Sequence, residues 1–466
     1  MPLADDTLPF LSWSDPLAPA LCDPTRNGWM NYGDVRQKIT ETLPCFAGRE
    51  RGLVLCFLPS SVSGALAYLA AAQAGMAIAL ADPQTPNKEP IIAAYEPDWI
   101  IASEGWQHAA YEAVTWPISE LSLFVRKNQT CGALHPDFYL MLLTSGSTGS
   151  SKGVRLSHAN IASNTRAIIQ SLSLSSDQTA LCHLPLAYSF GLSILHMQLA
   201  VGGKCFLTQD GLMSGDLWRQ AREHQATLFA GVPYHYEMLM RLGLARLNVP
   251  SLKTFLQAGG KMQAALTQKV LSVVRQRNGE LFIMYGQTEA SPRISCFPLH
   301  RFEEKLGSSG KVLQGGRLSI EDGEIVYRGP NVMMGYATSR ADLARGDETH
   351  GELRTGDLGS LDPDGFLTIT GRRQRFAKLF GQRVSLDDLE KIASAHASCI
   401  AVEQPEKIVL LCLQADEAAQ KAVHDSVIAQ TKLPAPWVTV RSVEAWPTKS
   451  NGKVDYPALQ KEFGGA

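Results

Sequence analysis

The chain has 466 residues, 45% of them hydrophobic, and a formal net charge of −2. This length predicts two or more domains with a large apolar core. The near-neutral charge gives no electrostatic basis for binding nucleic acid or an anionic membrane. Nine cysteines are scattered without a Cys-x-x-Cys pair. They are expected to be reduced core thiols, such as Cys56, Cys205 and Cys412, in a cytoplasmic protein.

No targeting or membrane-spanning segment is expected in the first half of the chain. Residues 1–6 lack a basic region followed by an apolar stretch, so no signal peptide is expected. The most apolar stretch is interrupted by Pro59 and Gly75. It therefore predicts a strand over 52–58, a helix over 60–74 and a strand over 76–80, instead of a membrane span.

Alternating strands and helices recur over residues 161–201 and 217–283, which predicts an α/β fold with mostly parallel sheets. Short strands separated by turns then indicate a small antiparallel β subdomain at about 305–371. The rest of the chain, after residue 371, contains predicted strands near 398–403 and 408–413 and a predicted helix near 415–430. We therefore expect an N-terminal domain over 1–371 and a small α+β domain over 372–466.

A loop rich in glycine and hydroxyl groups follows the apolar run 138–143. Glycines let backbone N–H groups approach phosphate oxygens, and hydroxyls and a lysine add further donors. The loop is not a Walker A motif, because a glycine follows the lysine and residues 154–156 predict a strand. It is expected to join two strands and to cover a polyphosphate, although an ordinary surface turn has the same composition. The candidate residues are Thr144, Ser145, Gly146, Ser147, Thr148, Gly149 and Lys152.

A second candidate segment follows the predicted strand 281–283. Tyr285 offers a flat face to a base, Thr288 offers a hydroxyl to a phosphate, and Glu289 offers an oxygen ligand to Mg²⁺. Gly286 and Gln287 lie between them. A strand end with an ordinary turn would give a similar pattern.

Three further charged positions add to this pattern. Asp357 lies in a predicted tight turn, where its carboxylate could accept hydrogen bonds from two ribose hydroxyls. Arg372 marks the predicted domain boundary, and Lys453 follows a glycine near the C-terminus. Each of them alone could be a solvated surface charge.

Taken together, these segments resemble the adenylate-forming superfamily of acyl-CoA synthetases, adenylation domains and luciferases. The resemblance covers residues 140–455 in the expected order. The matching segments are 144–153, 185–191, 231–233, 285–289, 355–357, 371–372, 381–384 and 452–453. It implies a large domain of doubly wound sheets with a β subdomain, followed by a small mobile α+β domain that rotates between two half-reactions.

The resemblance also implies a reaction. An acid and ATP form acyl-AMP and pyrophosphate, and the acyl group then passes to the thiol of CoA or of a carrier protein's phosphopantetheine. Lys453, Thr288 and Glu289 would be catalytic, with Mg²⁺ at Glu289. Gln374 would be the hinge, where the family usually has Asp or Lys. The expected thiol channel contains Lys378 and Gly381.

Amino-acid-activating members of the superfamily have an aspartate in the segment that corresponds to 186–191, and this chain has no carboxylate there. An aryl or acyl acid without an α-amino group is therefore expected. A stand-alone amino-acid adenylation enzyme with a separate carrier protein is the alternative. A luciferase-like monooxygenase and a non-catalytic nucleotide-binding module also stay open. The expected acid pocket contains Tyr188, Phe190, Gly191, Tyr234, His235, Gly259, Gly260 and Met284.

Overall fold

The computed structural model describes residues 8–13, 15–26, 28–47, 50–128, 132–144, 152–372, 376–379, 382–449 and 452–464. The chain divides into two compact units. The first contains the residues up to Leu318 together with Tyr327–Leu353, and the second contains Ser319–Val326 and the residues from Arg354 onward. The sequence predicts a domain boundary near residue 371 because a hinge is expected there. That boundary stays a prediction.

A nine-stranded sheet forms one layer of the first unit, and its central strands are parallel. The alternation of strands and helices over 161–201 and 217–283 is confirmed. In spatial order the strands are Lys311–Val312, Ser295–Pro298, Glu280–Tyr285, Thr254–Gln257, Leu228–Gly231, Thr179–Cys182, Lys204–Leu207, Pro19–Cys22 and Met30–Asn31.

The second large sheet has eight strands and is mixed. Among the described residues it has three parallel and four antiparallel pairs, so the expectation of mostly parallel strands fails here. Two of the antiparallel pairs join strands that are consecutive in sequence and need no helical crossover. In spatial order the strands are Gly335–Ala337, Lys152–Ser157, Phe138–Thr144, Ala77–Leu80, Leu53–Cys56, Trp99–Ser103, Leu121–Arg126 and Tyr111–Val114.

Two helices of the first unit are buried almost all round. Val62–Gln73 and Ser189–Ala200 contribute to one apolar cluster and are buried on nearly every face, as expected for helices inside a core. No helix in the described part of the chain is long and apolar enough to cross a membrane. The other helices of this unit are Tyr32–Thr42, Glu89–Tyr95, His158–Leu172, Gly215–Glu223, Pro233–Leu242 and Ala264–Gln276.

Smaller sheets make up the rest of the chain, and the strands and helix predicted after residue 398 are confirmed. A four-stranded sheet contains Arg317–Glu321, Glu324–Arg328, Glu352–Leu361 and Leu367–Arg372, and a hairpin pairs Phe376–Leu379 with Gln382–Ser385. A three-stranded sheet contains Cys399–Gln404, Lys407–Leu413 and Val438–Val443. The helices are Leu386–Ala393, Glu417–Thr431 and Tyr456–Phe463.

The cysteine prediction is wrong at one position. Cys412 forms a disulfide with Cys399, whereas Cys56 and Cys205 are buried free thiols, as predicted. The two bonded cysteines lie directly opposite each other on adjacent antiparallel strands. Their sequence separation of 13 gives no sign of this pairing, because it depends on the register of the two strands.

Candidate active site

Four neighbouring parallel strands bring most of the predicted acid and nucleotide residues of the first unit to one edge. These strands end at Cys182, Gly231, Gln257 and Tyr285. The segments that follow them therefore leave the sheet on the same side. Ligands of open α/β sheets bind outside the carboxyl ends of the strands, so this edge is the candidate site.

The predicted nucleotide segment crosses this edge. Tyr285 ends its strand, and Thr288 begins a short 3₁₀ turn, Thr288–Ala290. Gly286 separates them, and a β-carbon at this position would lie 1.8 Å from the carbonyl oxygen of Pro292. Only glycine allows this close approach of two backbone segments. Gln287, the other predicted nucleotide-binding residue between Tyr285 and Thr288, follows Gly286.

Glu289 is oriented by the neighbouring segment. Its Oε1 accepts a hydrogen bond of 2.9 Å from the hydroxyl of Tyr336, and its carbonyl oxygen accepts one from the N–H of Met333. The described residues contain no group of three or more His, Cys, Asp or Glu side chains that could hold a metal ion. One carboxylate that acts together with substrate phosphates nevertheless suits Mg²⁺, which retains several waters and binds nucleotides in this way.

The glycine- and hydroxyl-rich loop joins two antiparallel strands, as predicted. Thr144 ends the first strand and lies opposite Lys152, which begins the second. The Nζ of Lys152 lies 5.7 Å from the ring centroid of Tyr336, the residue that binds Glu289. The loop residues Ser145 to Gly149 and the side chain of Thr144 lie outside the described residues.

The start of the helix Ser189–Ala200 contributes the predicted aromatic wall. The rings of Tyr188 and Phe190 are 6.1 Å apart between centroids. Gly191 is packed so closely that a β-carbon would lie 2.4 Å from the carbonyl oxygen of Pro185. The hydroxyl oxygen of Ser189 lies 3.1 Å from that of Thr288. This hydrogen bond joins the predicted acid segment to the predicted nucleotide segment.

A pair of histidines lies beside the neighbouring strands. The Nε2 of His183 is 3.5 Å from the Nδ1 of His235. Burial lowers the pKa of His235 to about 4, and burial together with the neighbouring imidazole lowers the pKa of His183 to about 3. Both rings are therefore neutral near pH 7. The sequence prediction did not include His183, although its position directly after a buried strand was a usable signal.

The remaining predicted pocket residues lie on the same edge. Tyr234 is the second residue of the helix Pro233–Leu242, which follows the strand that ends at Gly231, and its ring centroid is 6.1 Å from that of His235. Gly259 has a φ of +80°. The carbonyl oxygen of Gly260 accepts a 2.8 Å hydrogen bond from the amide of Gln257. Met284 is buried in the strand that carries Tyr285.

One charged residue of this region was missed. Arg293 is 2% exposed, and its guanidinium carbon lies 4.3 Å from the ring centroid of Phe190. Burial lowers the pKa of Arg293 to about 10, so the side chain stays positively charged near pH 7. In the sequence, the available signal was an arginine directly before the largely apolar segment 294–297.

In the second unit, the predicted turn around Asp357 is wrong. Asp357 lies inside the strand Glu352–Leu361, directly after Gly356, which has a φ of +73°. The neighbouring strand places Arg372 directly opposite, and its Nε lies 3.1 Å from the Oδ1 of Asp357. The backbone N–H of Arg372 donates to Asp387. The two predicted nucleotide ligands of this unit are thus an ion pair, with the carboxylate largely buried.

Lys453 lies in a small hairpin turn. Its carbonyl oxygen accepts a 2.8 Å hydrogen bond from the N–H of Lys449, and Gly452 takes a φ of +74° in the turn. Asp455 then caps the helix Tyr456–Phe463. The predicted hinge residue Gln374, the predicted channel residue Gly381 and the side chain of Lys378 lie outside the described residues.

Comparison with known proteins decides the family. The family model described as AMP-binding enzyme matches residues 14–337. The chain belongs to the AMP-binding enzymes. This match confirms the predicted membership of the adenylate-forming superfamily.

Individual relatives of this AMP-binding enzyme agree with the assignment. A 2-succinylbenzoate–CoA ligase from Listeria monocytogenes serotype 4b is 26% identical over 333 residues, which cover 69% of each chain. A medium-chain fatty-acid–CoA ligase from Escherichia coli K12 is 28% identical over 355 residues, covering 69% of this chain and 61% of the relative. The ATP-bound structure of MatB from Rhodopseudomonas palustris has the same fold, with a TM-score of 0.78, 20% identity and 98% coverage of both chains.

These findings confirm the general reaction predicted for the AMP-binding enzyme. It is an AMP-forming acid–thiol ligase, which uses ATP with Mg²⁺ to adenylate a carboxylic acid and then transfers the acyl group to a thiol. The predicted roles of individual residues stay predictions.

Proposed function

We propose that this enzyme is a carboxylate–CoA ligase for an aryl or medium-chain acid without an α-amino group. The CoA ligase activity of the two curated relatives supports CoA as the acceptor. A carrier protein with phosphopantetheine presents the same thiol and is the alternative acceptor. We also propose that the enzyme works in the cytoplasm, where ATP and CoA are available, and cell fractionation tests this location.

The choice of acid is supported by the positive charge of Arg293 beside the aromatic wall. The positively charged Arg293 lies against Phe190, and the wall formed by Tyr188 and Phe190 has no carboxylate from segment 186–191. An α-ammonium group in such a place would meet a like charge in a poorly solvated environment and find no counterion there. An acid with an uncharged aryl or alkyl part adjacent to its reacting carboxylate avoids this repulsion.

The proposed roles follow from the chemistry of the first half-reaction. Attack of a carboxylate on the α-phosphorus of ATP brings two anions together, and Lys453 is the proposed cation that offsets their repulsion. Mg²⁺ held by Glu289 would supply further positive charge to the phosphates. Thr288 would donate its hydroxyl to a phosphate oxygen. Asp357 would accept hydrogen bonds from the ribose.

The experiment is ATP–pyrophosphate exchange across aryl, alkyl and amino acids, followed by acyl transfer to CoA or to a phosphopantetheine-loaded carrier protein. Exchange with aryl or alkyl acids and rapid transfer to free CoA are expected. Exchange confined to amino acids would contradict the proposed acid. Transfer to a carrier protein but not to CoA would contradict the proposed acceptor.

A further inference from the structure

Arg293 is held in place by buried amide side chains. Its N–H donates to the Oδ1 of Asn164 at 3.1 Å, and its carbonyl oxygen accepts from the Nδ2 of Asn164 at 2.8 Å and from that of Asn331 at 3.1 Å. Both asparagines are buried. The backbone polar groups of Arg293 are therefore fully satisfied, and the start of its side chain is fixed.

The guanidinium group itself is incompletely satisfied. Its Nη2 donates to the hydroxyl oxygen of Ser193 at 3.2 Å, but its buried Nε has no hydrogen-bond partner among the residues that the structure describes. Two other buried arginines of this unit have carboxylate partners, since Arg155 pairs with Glu348 and Arg340 pairs with Asp98. No carboxylate of the described residues pairs with Arg293.

This arrangement is energetically unfavourable for a purely structural residue. A buried charge without a counterion is strongly destabilising, and an apolar side chain of similar volume would fill the same space at lower cost. Contact with the face of Phe190 compensates for only part of the lost hydration. The positive charge is therefore more consistent with binding an anionic ligand than with packing.

The position of Arg293 indicates which ligand this is. Its α-carbon is so close to Gly286, in the nucleotide segment, that a β-carbon on this glycine would lie 2.9 Å from it. Its guanidinium group lies on Phe190, the residue after Ser189, whose hydroxyl is hydrogen-bonded to that of Thr288. The cation thus lies where the acid segment and the nucleotide segment meet.

We propose that Arg293 binds a second carboxylate on the acid substrate, so that the preferred substrates are dicarboxylic acids. This inference rests on the proposed function and narrows its substrate class. The reacting carboxylate loses its charge when it forms the mixed anhydride, so a strong ion pair to it would oppose the reaction. A distal carboxylate keeps its charge throughout both half-reactions. It can accept from the unpartnered Nε, and an arginine–carboxylate hydrogen bond is charge-assisted.

The test compares matched acids that differ only in the distal carboxylate: hexanoate with hexanedioate, octanoate with octanedioate, and benzoate with its ortho-, meta- and para-dicarboxylic analogues. ATP–pyrophosphate exchange gives kcat/KM for each acid with the parent enzyme, Arg293→Met and Arg293→Lys. The parent is expected to prefer at least one diacid to its matched monoacid. Arg293→Met should lower kcat/KM for that diacid by roughly 10- to 100-fold, and Arg293→Lys should restore part of the loss.

Thermal unfolding separates this role from a structural one. Arg293→Met should have an unchanged or higher Tm, because it removes a buried charge that has no carboxylate partner among the described residues. Its kcat/KM for the matched monoacid should change much less than that for the diacid. An equal loss for both acids, or a parent that activates only monoacids, would overturn the proposal and leave the carboxylate–CoA ligase intact. If Arg293→Met does not fold, the parent's preference and Arg293→Lys still decide the question. Absence of exchange with every acid would instead contradict the proposed function itself.

Discussion

The hydroxyl oxygens of Ser189 and Thr288 lie 3.1 Å apart and connect two parts of the chain that are 99 residues apart in sequence. Ser189 begins a buried helix, and Thr288 begins the turn after the strand Glu280–Tyr285. Because one hydroxyl donates and the other accepts, the pair fixes the orientation of the Thr288 side chain. The predicted phosphate ligand is therefore positioned by the segment predicted to bind the acid.

This hydrogen bond predicts different effects for its two members. Ser189→Ala should lower the free energy of unfolding by about 1 kcal/mol and reduce pyrophosphate exchange less than tenfold, since the Thr288 hydroxyl remains. Thr288→Ala should reduce exchange by about 10²- to 10³-fold, because it removes a donor to the transferring phosphoryl group. Urea unfolding and exchange kinetics measure both effects. Equal kinetic losses in the two variants would limit Thr288 to a structural role.

Lys453→Ala should reduce acyl-adenylate formation by about 10²- to 10³-fold and leave thioester formation from supplied acyl-adenylate nearly unchanged. The physical reason is that only the first half-reaction brings two anions together. Lys449→Ala is the matched control, because Lys449 lies in the same hairpin turn and donates its N–H to the carbonyl oxygen of Lys453. Pyrophosphate exchange at the parent rate in Lys453→Ala would show that another group provides the charge.

Asp357→Ala should weaken ATP binding by about 1–3 kcal/mol through the loss of hydrogen bonds to the ribose. The cost in stability should be small, since its partner Arg372 has a side chain that is 65% exposed and can be solvated. Asp364→Ala, in an exposed turn of the same unit, serves as the control. Isothermal titration calorimetry with ATP measures the effect, and an unchanged affinity would place Asp357 outside the nucleotide site.

A buried histidine predicts loss of stability in mild acid. His196 is 3% exposed, its Nε2 lies 2.7 Å from the hydroxyl of Tyr68, and burial lowers its pKa to about 3. The unfolded chain therefore takes up a proton as the pH falls below about 6.5, while the folded chain does not. This histidine alone should lower the free energy of unfolding by about 1.6 kcal/mol as the pH falls from 6.5 to 5.

The His196→Gln variant, which does not titrate, should lose correspondingly less stability over this pH interval. Tyr68→Phe is the control, because it removes the hydrogen bond but keeps the buried imidazole, and its pH dependence should resemble that of the parent. Urea unfolding at several pH values provides the measurement. The same pH dependence in His196→Gln and the parent would assign the acid sensitivity to other groups.

Local sequence patterns were sufficient for much of the fold and for the family. The strand–helix–strand pattern over 52–80 appears as Leu53–Cys56, Val62–Gln73 and Ala77–Leu80, because hydrophobic periodicity and glycine or proline breaks act over a few residues. The loop between Phe138–Thr144 and Lys152–Ser157 was likewise predictable from its flanking apolar runs. Motifs in a fixed order then identified an AMP-binding enzyme.

Tertiary structure alone decided the features that depend on residues far apart in sequence. The Cys399–Cys412 disulfide follows from strand register, and the neutral His183–His235 pair follows from the adjacency of two parallel strands. Arg293 became a candidate ligand only when its burial against Phe190 was visible, with no carboxylate partner in the described part of the chain. A residue's type and neighbours in sequence determine what chemistry it can offer. Its desolvation and its partners, which set its charge state and use, exist only after long-range packing.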